Sequence, residues 1–146
     1  MTRNPSMFPQ IRHRRGNGGK REDLGRYFRS TWEANWARYL KWLKDRGEIK
    51  DWEYEVQEFV FDKIKRGSRS YLPDFRILTN AGAIEFHEVK GYMDQKSSTK
   101  IRRMAKYFPE VRLTVIGKKE YREVANKLGR LIPNWEMVRG RVSRTD

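Results

Sequence analysis

A chain of 146 residues with 33 Lys and Arg against 19 Asp and Glu carries a formal charge of +14, an excess that calls for a polyanionic partner, nucleic acid above all. The length suits one compact domain with a real core, and the lack of cysteine rules out disulfides and thiolate zinc sites. With no apolar run of membrane-spanning length, no apolar leader and no basic helix with a free apolar face, the chain is expected to be soluble and cytoplasmic.

Residues 1–28 hold Pro, Gly, Asn and basic side chains without apolar periodicity, and predict a flexible basic arm. Its cations Arg12, Arg14, Arg15 and Lys20 are candidate phosphate contacts, with a solvated tail or an arm on a partner subunit as the plainer readings. Residues 29–138 form the expected domain, and residues 139–146 a basic tail bearing Arg139, Arg141 and Arg144. The first helix is placed from Ser30 to about Arg46, where Trp32, Trp36, Tyr39, Leu40 and Leu43 recur at helical spacing and Gly47 gives the stop. Ser30-Thr31-Trp32-Glu33 matches a capping box in which Glu33 returns to the Ser30 amide. Glu33 also borders the apolar stripe, which would turn it inward.

Trp52 to Phe61 predicts one long strand, with Glu53, Glu55 and Gln57 on its polar face and a bulge near residues 58–61. The loop from Asp62 to Ser70 adds Lys63, Lys65, Arg66 and Arg69 as candidate phosphate contacts. Tyr71–Leu78 and Ala83–Lys90 are two further strands, and Asn80-Ala81-Gly82 between them makes a hairpin. If Thr79 pairs with Ala83, Asp74 falls opposite Glu88. Lys90 then shares the face of Glu88, whereas His87 and Val89 point away. A helix from about Ser97 to Phe108 buries Ile101, Met104, Ala105 and Phe108 and presents Lys100 and Arg103 among its cations. Val111–Ile116 is a short buried strand, Glu120–Leu128 a third helix, and Leu131–Trp135 an edge segment.

Two carboxylates that close need a cation, a shared proton or a cost in stability. All-oxygen ligands suit Mg²⁺ or Mn²⁺, so the patch of Asp74, Glu88 and Lys90 points to a metal-dependent hydrolase. A bound divalent ion lowers the pKa of water and clamps phosphate oxygens, and an adjacent ammonium adds fixed charge where negative charge grows.

Pro73-Asp74 followed by Glu88-Val89-Lys90 resembles the PD-(D/E)xK nuclease superfamily, whose α-β-β-β-α-β core is similar to the predicted element order. Arg29-Ser30-Thr31-Trp32-Glu33, Tyr71-Leu72-Pro73-Asp74-Phe75 and Glu88-Val89-Lys90-Gly91 resemble the signature blocks of phage endonuclease I, a Holliday junction resolvase. The resemblance implies an α/β restriction-endonuclease-like core, a mixed central sheet flanked by helices. It implies one or two Mg²⁺ or Mn²⁺ held by Asp74, Glu88 and the Val89 backbone carbonyl, with Glu33 at a second metal position. It also implies Lys90 acting on the attacking water or on the charged phosphorane, Arg29 near DNA, and a homodimer making paired nicks at four-way junctions, with no organic cofactor. A sequence- or mismatch-directed endonuclease on the same core is one alternative. A non-catalytic basic nucleic-acid-binding protein is the other, and it leaves the acidic cluster unexplained.

Overall fold

The computed structural model describes residues 17–137. Strands β1 (Gly19–Arg21) and β2 (Arg26–Phe28) precede helix α1 (Thr31–Asp45). Then come β3 (Asp51–Tyr54), β4 (Phe59–Val60), β5 (Ser70–Tyr71), β6 (Phe75–Leu78), β7 (Ile84–Val89), α2 (Gln95–Tyr107), β8 (Arg112–Ile116) and α3 (Lys118–Leu128). The central sheet has the order β3-β6-β7-β8, antiparallel across its first three strands and parallel between β7 and β8. This is a mixed α/β fold, and among the described residues no helix is long and apolar enough to cross a membrane.

Helices cover both faces of the sheet, because its strands alternate between two apolar sets. Phe75, Ile77, Val89 and Ile116 pack with Ala34, Trp36, Ala37 and Leu40 of α1 and Tyr121 of α3. On the opposite face Phe86 joins Phe59, Phe61, Tyr71 and Met104, the last from α2. Ala105, expected in that core, is exposed; the buried arc of α2 is narrower than its sequence implies, with Met104 its one fully buried residue.

Helix α1 starts where expected. Ser30 is its N-cap and its Oγ accepts from the Glu33 amide at 3.1 Å, which satisfies one of the donors a helix leaves unpaired at its start. The return half of the capping box is replaced, since the Glu33 carboxylate is bonded elsewhere, as set out below. At the other end Gly47, at φ +77°, adopts the left-handed conformation that closes a helix at least cost, and the Glu48 amide reaches back to the Leu43 carbonyl.

Four further sequence expectations are corrected. The stretch from Gly19 to Phe28, assigned to a flexible arm, is a hairpin. Phe28 is fully buried in the core, and Arg21 donates to Glu136 at 2.7 Å while Arg38 bridges Glu136 and Asp23. Buried guanidinium–carboxylate pairs therefore hold the hairpin and the end of the described chain to α1. Residues 1–16 of the arm, with Arg12, Arg14 and Arg15, lie outside the described residues, as do residue 138 and the expected tail, 139–146.

The long strand from Trp52 is two strands in different sheets, because Glu55 takes a left-handed φ of +51° and ends β3. The Tyr71–Leu78 strand is likewise divided, with β5 pairing to β4 and β6 to β3 and β7. Leu131–Trp135 forms no strand; Ile132 is buried, Leu131 is exposed and the Trp135 ring stacks on Tyr121.

Candidate active site

The hairpin closes in the expected register. Thr79 and Ala83 are hydrogen-bonded across the turn at 2.9 Å, and Gly82 supplies the positive φ, +89°. Phe75 pairs with His87, so Asp74, one residue before β6, lies beside Glu88. The Asp74 amide donates to Glu88 Oε1 at 3.2 Å, and the Val89 amide donates to Asp74 Oδ2 at 2.8 Å. His87 and Val89 face α1: Trp36 Nε1 donates to His87 Nδ1 at 3.0 Å, and Val89 is part of the α1-side core. Glu88 and Lys90 line a cleft of about 330 Å³ together with Arg29, Glu55, Tyr71 and Lys100.

Both carboxyl groups are raised above their ordinary range, chiefly by burial. Asp74 is 1% exposed. Burial first, and then the neighbouring Glu88 and Glu33, push its carboxyl well above the ordinary range, against the Val89 amide and Arg29. Burial also raises Glu88, while the Tyr71 hydroxyl, Lys90 and the Asp74 amide pull it back. Tyr71 donates to Glu88 Oε1 at 2.7 Å, and its own hydroxyl is held protonated by burial and by that carboxylate.

Glu33 reaches the site from α1. Its Oε1 accepts from Tyr54 Oη at 2.6 Å, and its Oε2 lies 3.7 Å from the Arg29 guanidinium. Arg29 is the hub of this acidic end: Nη2 donates to Asp74 Oδ1 at 3.0 Å, and Nη1 pairs with Glu55. Burial alone would weaken its hold on the proton; Glu33, Tyr54, Glu55 and Asp74 more than reverse this and raise its pKa. Among the described residues no three His, Cys, Asp or Glu side chains are grouped as a metal-holding set. Glu88 is tied to Asp74 through the Asp74 backbone amide, and the Glu33 carboxylate meets the Asp74 carboxylate through Arg29.

The remaining candidate cations separate by environment. Lys100 lines the cleft and, with Lys96 and Arg69, an adjoining depression. Arg103 donates to the Ser68 carbonyl at 2.6 Å and so braces the basic loop. Lys63, Lys65, Arg66 and Arg69 are exposed on that loop, and Lys20 is exposed on β1. Sequence reasoning missed Glu55, Tyr54 and Tyr71 as site residues. Tyr71 lay within a recognised block, but nothing in the alternation of residues 52–57 marks the backbone reversal that turns Glu55 inward.

No curated protein and no solved structure matches the chain. A family model described as "Protein of unknown function (DUF1064)" matches residues 18–123, which span β1 through most of α3 and contain every residue of the cleft, and the chain therefore belongs to that family.

Proposed function

We propose that the protein is a metal-dependent endonuclease that hydrolyses phosphodiesters in branched DNA, most specifically as a Holliday junction resolvase acting as a homodimer. One observation carries the hydrolytic reading: the buried carboxyl of Asp74 stands beside the half-buried carboxyl of Glu88, which opens onto a cleft that Lys90, Lys100 and Arg29 also line. The succession of α1, three antiparallel strands, α2 and a parallel strand supports a PD-(D/E)xK core.

The donor set fits Mg²⁺ or Mn²⁺. It is all oxygen, and Mg²⁺ is commonly bound through one or two carboxylates plus substrate phosphate. Asp74 and Glu88 would hold it, with the Val89 carbonyl beside them; the resemblance assigns Glu33 to a second position. When bound, such an ion supplies a water of lowered pKa and charge for the phosphate oxygens. The protein's own contribution is to fix the acceptors. Val89 N–H orients Asp74, Tyr71 and the Asp74 amide orient Glu88, and the Lys90 ammonium holds positive charge where the phosphorane becomes anionic. Lys100, Arg69 and the exposed loop cations receive the flanking phosphates.

Incubating the full chain with supercoiled plasmid, and with a synthetic four-way junction beside a linear duplex of the same sequence, tests both levels. Nicking that requires Mg²⁺ or Mn²⁺ is expected, with the junction preferred. Equal cleavage of junction and duplex removes the resolvase assignment and favours the sequence- or mismatch-directed endonuclease. DNA retained but intact with both metals leaves a non-catalytic basic binding protein.

A further inference from the structure

Arg29 directly precedes the N-cap of α1, yet its guanidinium meets acids from three separate places: Glu33 on α1, Glu55 after β3 and Asp74 before β6. Two features distinguish this from an ordinary surface pair. The Asp74 side chain is 2% exposed, so its contact with Arg29 is desolvated on the acid's side. The second feature is the backbone of Glu55. A φ of +51° is uncommon for a residue other than glycine, and here it ends β3 while the Glu55 amide donates to the Asp74 carbonyl at 2.7 Å. The chain is thus bent at the residue that anchors Arg29, and pinned there to the residue that Arg29 covers.

Of the two Asp74 carboxylate oxygens, Oδ2 is taken by the Val89 amide and Oδ1 by Arg29 Nη2. A cation that binds Asp74 through Oδ1 competes with Arg29 for that oxygen and is repelled by its charge. We propose that Arg29 is the built-in counter-cation of the site, displaced from Asp74 by the incoming divalent ion and kept in the cleft by Glu55 as a phosphate donor. This rests on the endonuclease reading above and names how its metal loading is controlled. In the free protein Arg29 holds metal affinity down, because a guanidinium beside a divalent ion repels it. An arriving phosphate draws the guanidinium toward itself, so metal and nucleic acid favour one another's binding.

Mn²⁺ binding to the full chain, followed by the electron paramagnetic resonance of the free ion and without DNA, tests this independently of catalysis. Arg29→Gln removes a unit charge from beside the ion and should raise Mn²⁺ affinity at least about tenfold. Arg29→Lys keeps the charge but loses the planar fork that spans Asp74 and Glu55; its affinity should rise about threefold, and it covers the case of a misfolded Gln variant. Asp74→Asn should abolish binding. Unchanged or weaker affinity in both Arg29 variants, with Asp74→Asn still losing the ion, overturns the counter-cation role and leaves the metal site standing. Absence of Mn²⁺ binding to the wild type and to Arg29→Gln overturns the metal site and this inference together.

Discussion

Replacing Tyr71 by Phe removes one oxygen atom from the site and nothing else. That oxygen donates to Glu88 Oε1 at 2.7 Å, and the Tyr71 residue is 4% exposed, so no solvent replaces the lost donor. A hydrogen bond to a charged group contributes about 1.5–3 kcal/mol. The Phe variant should lose that much stability at pH 7.5, which for a chain of this size lowers Tm by about 5–10 °C. Urea denaturation of four proteins separates the bond from general packing: wild type, Tyr71→Phe, Glu88→Gln and the double variant. In the Gln background the Tyr71 hydroxyl faces a neutral acceptor, and its removal should cost only about 0.5–1.5 kcal/mol. The same bond lowers the Glu88 pKa, so the acid limb of the cleavage pH profile should move to higher pH in Tyr71→Phe. A loss below about 0.5 kcal/mol, or an equal loss in both backgrounds, refutes the assignment of Tyr71 as a donor that favours the charged form of Glu88.

His87 is predicted to make the fold acid-sensitive. Burial lowers its pKa to about 4 from the ordinary 6.5, so the unfolded chain takes up the proton first. The stability this group contributes is complete above about pH 6.5 and is lost as pH falls toward 4, at most about 3 kcal/mol. His87→Gln should flatten that window in urea titrations, and an unchanged slope refutes the argument. Asp74→Asn is expected to abolish cleavage while DNA affinity holds or rises, because a carboxylate next to phosphate is neutralised; parallel loss of binding in a gel-shift titration means that Asp74 is structural. Lys90→Ala should lower turnover more than affinity, and single-turnover kinetics with unchanged rate exclude Lys90 from the chemistry. DNA binding should weaken with salt at a logarithmic slope of about −0.9 per phosphate neutralised, and a flat profile refutes phosphate contacts by Lys100, Arg69 and the loop.

The parts of the structure legible in the sequence are those governed by local geometry. Period-two alternation and a Gly-ended turn are enough to place Asp74 beside Glu88 and to turn His87 toward α1, because a one-residue slip would send Phe75 and Ile77 out of the core. Ser30 and Gly47 mark the limits of α1 because capping is likewise local. The errors lie where distant partners decide. Residues 19–28 read as an arm, since a short basic segment with one turn has no apolar period. What orders it is Phe28 entering the core and Arg21 reaching Glu136, far along the chain.

The acidic end of the site shows the same division. Repulsion between Asp74 and Glu88 called for a nearby cation, a shared proton or a cost in stability, and those alternatives could be stated from residue types alone. The part played by Arg29 could not, because it reads as one more phosphate contact. It is the partner of Asp74 in the fold, and because β3 stops at Glu55 the left-handed backbone there offers the guanidinium a further acceptor. That backbone angle thus adds to what decides whether the guanidinium lies against the acids or points to solvent. In the first arrangement the buried carboxylates have a partner before any ion or substrate arrives, and the cost of burying them is offset within the chain. In the second they would carry that cost alone.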